Sequence, residues 1–245
     1  MIGKLPDGAS PGQSRSFGGP IQSLFAAILD DDRAKVKKLL DNDPDLSQRG
    51  VSEGGRYELR IAHWIYSGDT ALHVAAAGYR VEIAKMLLAA GANSGSAKNR
   101  RCSQPLHYAS DGHLDSPAWN PGRQVAMIRL LLKAGANMNA QDKNGATPLH
   151  RAVRTRCAAA VKCLLEAGAD PTIRNKPGST PFHLAVQNTG RGGSGSEKAR
   201  TAQREILQAF LERGVSPTLT DARGKSILDW ARSGWIQKLL AGNAV

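Results

Sequence analysis

The most regular motif in this chain is Asp142-Lys-Asn-Gly-Ala-Thr-Pro-Leu-His-Arg-Ala-Val153, continued to Gly168-Ala-Asp170. Its first four residues have turn composition, because Asp bonds its own backbone and Gly accepts a positive φ. Thr147 suits a helix N-cap, and Pro148 suits the first helical position, where a missing N–H costs nothing. Apolar residues then recur at helical spacing until Gly168 ends the pattern. The stretch therefore predicts a turn followed by two short helices.

The same motif recurs along the chain. The copies are Thr70-Ala-Leu-His-Val-Ala75, Gln104-Pro-Leu-His-Tyr-Ala109, Thr180-Pro-Phe-His-Leu-Ala185 and a degraded one, Ser226-Ile-Leu-Asp-Trp-Ala231. With these copies the chain resembles the ankyrin repeat family, whose signature is Thr-Pro-Leu-His-x-Ala at a period near 33 residues. The resemblance covers about residues 21–242. It implies an all-α solenoid of helix–turn–helix repeats with capping repeats at both ends.

The positions of the copies predict how the chain is divided. Residues 1–19 are rich in Gly, Pro and Ser, and we expect a disordered tail there. Residues 20–245 are predicted to form one ankyrin repeat domain. Its parts are a cap at 20–47, an inserted finger at 48–65, repeats at about 66–98, 99–141, 142–174 and 175–220, and a C-terminal cap at 221–245.

The spacing of the motif reveals two insertions. The third motif position advances by 34 residues from Leu72 to Leu106, by 43 to Leu149, by 33 to Phe182 and by 46 to Leu228. The two long steps predict loops inserted between the helices of a repeat, near residues 112–122 and 189–198. The second of these has the Gly/Ser composition of a flexible linker.

The finger and the residue that follows it contain three aromatic residues whose role has two interpretations. Glycines interrupt residues 48–65, and the stretch after them begins with apolar and polar residues in alternation, so we expect an extended finger or hairpin. Tyr57, Trp64 and Tyr66 are interpreted first as packing over the first repeat. The alternative is that they contact a partner.

Charge and composition limit the class of protein. The formal net charge is +12, and residues 1–66 contain nine basic and nine acidic residues, so the whole excess lies in residues 67–245. A basic body attracts acidic partners by electrostatic steering. No apolar run is long enough to span a bilayer, and the N-terminus lacks the apolar stretch of a secretory signal, so we expect a cytoplasmic protein. Cys102, Cys157 and Cys163 are expected to be buried thiols in a reducing compartment.

The candidates for chemistry are few. The motif histidines His73, His107, His150 and His183 could suggest a row of metal ligands, but repeats about 10 Å apart keep the rings too far from one another for a shared ion. We expect each ring to bond the backbone of a neighbouring turn instead. No nucleophile elbow, zinc-protease motif or phosphate-binding loop is present. We therefore predict no catalytic residue, no cofactor, no metal and no enzymatic activity.

The family resemblance implies that a partner binds along the turn tips and first helices. The candidate partner-binding residues at those positions are Tyr66, Arg100, Arg101, Lys143, Asn144, Arg154, Arg156, Lys176, Arg223 and Lys225. One interpretation is that exposed Lys and Arg merely keep the solenoid soluble. The hypothesis of interest is a monomeric, non-catalytic module that binds an acidic protein partner on a basic concave side. The alternative is an electrostatic binder of nucleic acid or anionic lipid through the same surface.

Overall fold

The computed structural model describes residues 19–52, 55–56, 64–112, 114, 119–188 and 195–242. The predicted tail at 1–19 lies outside the described residues except for Gly19, as do Tyr57 and parts of both predicted insertions. No helix within the described ranges combines the length and the apolar composition needed to cross a bilayer.

Helices come in pairs along the described chain. The first helices of the pairs are α1 (Pro20–Leu29), α3 (Ala71–Ala77), α5 (Pro105–Ser110), α7 (Pro148–Arg154), α9 (Pro181–Ala185) and α11 (Ile227–Trp230). The second helices are α2 (Arg33–Asn42), α4 (Val81–Ala89), α6 (Pro121–Lys133), α8 (Ala158–Glu166), α10 (Glu197–Glu212) and α12 (Gly234–Ala241). A short 3₁₀ helix, Pro44–Ser47, follows the first pair.

The motif itself explains where the first helices begin. In α7 the Thr147 hydroxyl accepts a hydrogen bond from the His150 backbone N–H, while the His150 ring Nδ1 accepts one from the Thr147 N–H at 3.1 Å. This reciprocal arrangement satisfies two donors that a helix N-terminus otherwise leaves unpaired. The pattern recurs in α9, where Thr180 and His183 take the same two roles.

Stacking of the pairs produces the core. The first helices pack on one another in chain order from α1 to α11, and the second helices do so from α2 to α10. The third motif position is fully buried in four repeats, at Leu72, Leu106, Leu149 and Phe182. A single helix pair has too little apolar surface to bury, so stability comes from its neighbours. The all-α repeat solenoid expected from the motif is confirmed.

The finger region contains a short hairpin. β1 (Gly55–Arg56) pairs antiparallel with β2 (Trp64–Ile65), with Gly55 opposite Ile65 and Arg56 opposite Trp64. A separate bridge joins Gly50 to Thr70. Ile65 is buried, whereas Trp64 is 45% exposed. Tyr66 packs against the core in line with the preferred interpretation, whereas Trp64 is more exposed, because neighbouring strand residues point to opposite faces and Ile65 takes the inner one.

The two insertions are held at their bases by glutamines of the second helices. Gln124 of α6 donates to Ala109 O at 3.0 Å, and Gln203 of α10 donates to Ala185 O at 2.7 Å. Both carbonyls belong to the last turn of a first helix, where acceptors have no partner within the helix. The two insertions also meet, since Lys198 Nζ donates to Leu114 O and lies 5.7 Å from the Trp119 ring centroid.

The cysteines differ in part from expectation, whereas the C-terminal cap packs against the core. All three thiols are free, and Cys157 and Cys163 are buried as expected. Cys102 is exposed, because it lies in a turn with a φ of +50° that directs its side chain outward. At the C-terminal end, Ile236 is fully buried, and Trp230 and Trp235 pack against the core while remaining partly exposed.

Shortening a motif leucine tests this assignment of the core. We expect Leu149→Ala to lower the free energy of unfolding by about 2–5 kcal/mol, because it removes buried methyl groups and leaves a cavity. Urea unfolding followed by circular dichroism measures the loss. A loss under about 1 kcal/mol would show that Leu149 is not a core residue.

Candidate partner-binding surface

Backbone hydrogen bonds join the turn tips of successive repeats into one row. Each bond links an N–H in one turn to a carbonyl in a neighbouring turn. The four bonds are Arg100 N to Ser67 O (3.1 Å), Lys143 N to Arg101 O (2.7 Å), Lys176 N to Asn144 O (2.9 Å) and Ala222 N to Gly178 O (3.0 Å). We call this row of turns the tip row. Since each tip is bonded to the next, the backbones of the turns keep fixed relative positions.

Polar side chains within the turns hold each tip in shape. Asp142 Oδ1 accepts from Asn144 N at 2.8 Å and from Ala146 N at 3.0 Å. Asn99, Asn175 and Asp221 accept backbone bonds in the equivalent turns. Such turns leave the intervening residues pointing outward. The sequence of the turn therefore determines which side chains reach solvent.

The tip row is basic from the second repeat onward. Its exposed cationic residues are Arg100, Lys143, Lys176, Arg223 and Lys225. Within the described ranges none of these five side chains forms an ion pair. Asn144 lies exposed beside Lys143. The predicted residues of the tip row are thus brought together on one edge of the molecule.

Arg101 and Tyr66 form a pair at the first-repeat end of the tip row. The Arg101 guanidinium carbon lies 5.3 Å from the Tyr66 ring centroid, and Nη1 is 3.4 Å from the Tyr66 hydroxyl. Both side chains are half-buried. A cation over an aromatic face is attracted by the ring quadrupole. This contact links the first repeat to the second.

The remaining two predicted residues lie away from the tip row and differ from each other. Arg154, on the last turn of α7, keeps a 60% exposed side chain while its Nη2 is 3.4 Å from an Asp111 carboxylate oxygen. Arg156 donates instead to Ala185 O at 3.0 Å and to Gln187 O at 2.7 Å. Burial lowers the pKa of Arg156 to about 10. Arg156 therefore binds the following repeat, and we no longer propose it as a partner contact.

A buried arginine lies behind the tip row at the variable motif position. Arg151 donates to Asp111 at 2.7 Å, to Asp142 at 2.8 Å and to the Ser103 hydroxyl at 2.8 Å. Burial opposes its charge, but the carboxylates of Asp111 and Asp142 more than offset this and raise the pKa of Arg151. Burial would likewise raise the pKa of Asp142, yet the bond and charge of Arg151 lower it below its usual range. The pair fixes the third turn against the second repeat.

Tyr108 occupies the same motif position one repeat earlier. Its hydroxyl donates to the buried Asp69 at 2.8 Å, and burial together with the Asp69 charge raises the pKa of Tyr108. Asn99 also donates to Asp69, at 2.6 Å. Asp69 in turn accepts from the Tyr66 backbone N–H at 2.7 Å. The side chains at this motif position thus support the turn of their own or the preceding repeat.

The motif histidines bond between repeats. Each ring Nε2 pairs with a carbonyl in the turn of the next repeat: His73 with Ser103 O (2.9 Å), His107 with Ala146 O (3.1 Å), His150 with Ser179 O (3.1 Å) and His183 with Lys225 O (3.2 Å). Since a carbonyl only accepts, Nε2 carries the proton. The expected role in tying the repeats together is confirmed. No cluster of three candidate metal ligands occurs among the residues that the structure describes.

Comparisons with known proteins agree with this architecture. A family model described as "Ankyrin repeats (3 copies)" matches residues 24–116 and 118–221. The chain belongs to the ankyrin repeat family. Ankyrin repeats generally mediate protein–protein interactions and are typically non-catalytic.

A curated relative shares part of the ankyrin region. A probable serine/threonine-protein kinase of Dictyostelium discoideum is 35% identical over 87 residues, which is 36% of this chain. The match spans only 10% of the kinase, so the activity in that protein's name is not carried over to this chain.

Sequence reasoning missed the buried supports of the ankyrin turns. Arg151 and Tyr108 occupy the variable position of the motif, where no local pattern marks them as buried. The available signal was that both are large polar residues at a position held by Val74 in the first repeat and Leu184 in the fourth. Tyr108 bonds Asp69, which lies 39 residues earlier in the chain. Arg151 bonds Asp111, 40 residues earlier, and Asp142, nine residues earlier.

Removing the buried arginine tests the support of the third turn. We expect Arg151→Ala to lower the free energy of unfolding by about 3–5 kcal/mol, because Asp142 is left buried without its cation. The matched control is Arg154→Ala, which also loses a contact with Asp111 but starts from an exposed side chain, so we expect a loss under about 1 kcal/mol. Equal losses in urea unfolding of the two variants would contradict this assignment.

The buried histidines predict a dependence of stability on pH. Burial, followed by the nearby Arg151 charge, lowers the pKa of His107 to about 4, and burial lowers that of His150 to about 4. As the pH falls below about 6.5, both histidines become protonated in the unfolded chain but stay neutral in the folded one. The stability that is present above that pH is therefore lost as the pH falls toward 4. At pH 5 the loss is roughly 2 kcal/mol for each histidine. Urea unfolding at pH 7 and pH 5 measures it, and a pH-independent free energy would overturn the prediction.

Proposed function

We propose that this chain is a non-catalytic protein-binding module whose tip row binds an acidic surface or segment of a protein partner. The observation that carries the proposal is the alignment of five exposed cationic side chains without ion pairs among the described residues, on turns bonded to one another. Rigid, pre-aligned charge raises the rate of encounter and selects partners of opposite charge. The family's general role in protein–protein interaction supports the same conclusion.

The arrangement of the basic groups favours a protein over a nucleic acid. Base binding by stacking requires aromatic faces interleaved with the cations. From Lys143 to Lys225 the basic tips are separated by turns without an aromatic residue. A protein partner needs only acidic side chains at matching intervals. Binding of nucleic acid or of anionic lipid is the alternative that the experiment below distinguishes.

Charge reversal along the tip row tests the proposal. The variant Arg100→Glu, Lys143→Glu, Lys176→Glu, Lys225→Glu is compared with a control of equal charge change, Arg123→Glu, Lys133→Glu, Arg213→Glu, Lys238→Glu. The control residues are also exposed, but they lie in or directly after second helices. Both variants and the unmodified chain are used for affinity purification with mass spectrometry, followed by measurement of the affinity of each captured protein.

We expect the tip-row variant to lose roughly tenfold or more in affinity for a captured acidic protein, and the control to keep it. Equal loss in both variants would contradict a role of the tip row. Binding that disappears after nuclease treatment, or salt-dependent binding to duplex DNA or phosphatidylserine vesicles that the tip-row variant alone loses, would replace the proposal by the alternative.

The remaining expectations are proposals of the same kind. The monomeric state is tested by light scattering of the purified chain. A reducing compartment is supported by the three free thiols, one of which, Cys102, is exposed at the tip row.

A further inference from the structure

Trp64 stands out on the described surface. It is the one large apolar side chain that is exposed there, at 45%. Its ring centroid lies 6.4 Å from that of Tyr66 in a tilted arrangement, and the Arg101 guanidinium lies over the other member of this pair at 5.3 Å. We call Trp64, Tyr66 and Arg101 the aromatic anchor. Trp, Tyr and Arg are the residue types that most often supply binding energy at protein interfaces.

The aromatic anchor is held in place from below. The Tyr66 N–H donates to Asp69 at 2.7 Å, and Asp69 is itself buried and bonded to Tyr108 and Asn99. On the other side of Trp64, β2 pairs with β1 and buries Ile65. Side chains held this way lose little conformational freedom when a partner binds, which favours affinity. The exposed tryptophan therefore lies in a strand whose backbone is paired and next to a turn held by buried polar groups.

The aromatic anchor is continuous with the tip row. Arg101 belongs to both, because its carbonyl accepts the Lys143 N–H that joins the second and third turns. A ligand lying on the anchor and following the row toward the C-terminus meets Arg100 and Arg101 first, then Lys143, Lys176 and finally Arg223 with Lys225. The surface thus has aromatic side chains at one end and cationic side chains along the rest of its length.

We infer that the occupant is an extended segment of a protein partner with an aromatic residue that packs on Trp64 and an adjoining run of acidic residues that follows the tip row. This inference rests on the proposed function and specifies its ligand. The positive charge of the tip row attracts the acidic residues of the segment. The exposed indole of Trp64 packs against the segment's aromatic residue. The exposed apolar face of Trp64 is removed from water when the aromatic residue packs on it.

Repeat geometry sets the spacing of the acidic residues. Neighbouring helices pack about 8–10 Å apart, and an extended segment in the polyproline II conformation advances about 3.1 Å per residue with about three residues per turn, so it advances roughly three residues per repeat and every third side chain faces the same side. The ligand therefore has one acidic side chain at about every third position. Acidic residues spaced at another interval lie opposite fewer of the cationic side chains of the tip row.

Synthetic peptides test the inference on the full chain. The probe has one Phe followed by glutamates at every third position with Gly and Ser between them, and it is made in both chain directions. One control peptide replaces Phe by Ala, and a second contains the same glutamates in one block. Affinities are measured by isothermal titration calorimetry for the unmodified chain, Trp64→Ala, Trp64→Phe and Arg123→Ala, each checked for an unchanged melting temperature.

We expect the Phe-to-Ala change in the peptide to weaken binding about tenfold on the unmodified chain and to have no effect on Trp64→Ala. Trp64→Phe and Arg123→Ala should bind the probe like the unmodified chain, and the blocked glutamates should bind more weakly than the spaced ones. The peptide comparison on the unmodified chain remains decisive even if Trp64→Ala fails to fold.

Two different failures are distinguishable. If the Phe and Ala peptides bind equally well and the tip-row charge reversal abolishes both, the anchor is refuted and the proposed function stands. If no acidic peptide binds in a manner that the tip-row reversal weakens, the proposed function itself fails, and the anchor with it.

Discussion

The hydrogen bond from each motif histidine to the turn of the following repeat is the interaction on which the tip row depends. In a repeat array each unit contacts mainly its neighbours, so the relative placement of distant turns is the product of many adjacent steps. The bond from His107 to Ala146 O and that from His150 to Ser179 O each fix one such step from inside the fold. The backbone bonds between tips repeat the constraint at the surface. Both sets of bonds hold the turns that present the cationic side chains.

Cationic residues have opposite roles on the buried side and on the exposed side of the turns. Arg151 is buried between Asp111 and Asp142, where its planar guanidinium forms several directed bonds at once. Lys143, in the turn that Arg151 supports, and Arg100, in the preceding turn, keep their side chains in solvent. The buried ion pair costs desolvation that its geometry must offset, so it orients the turn more than it stabilises the fold. The exposed charges can then act on a partner from a rigid base.

The separation along the chain between two interacting residues decides whether their contact could be predicted from the sequence. Thr147, Pro148 and His150 lie within one helical turn, and their hydrogen bonds appear in the sequence as a motif. Arg100, Lys143 and Lys176 were predictable as tip residues because the turn composition beside the motif is local too. Arg156 was assigned to the same surface by its position after the first helix. Its guanidinium instead reaches carbonyls 29 and 31 residues later, which no local pattern reveals.

Residue order alone was enough to predict the repeat, the helix starts, the buried leucines and the basic character of the turns, since each depends on residues that are near in the chain or on a period that can be counted. Which polar residues are buried and which aromatic is exposed became visible once the repeats were stacked. Arg151 is buried because Ser103 and Asp111, 48 and 40 residues earlier, come to lie around it. Trp64 is exposed because Ile65, its neighbour in β2, takes the inner position. Burial is a property of the stack, and the stack forms only when separate repeats meet.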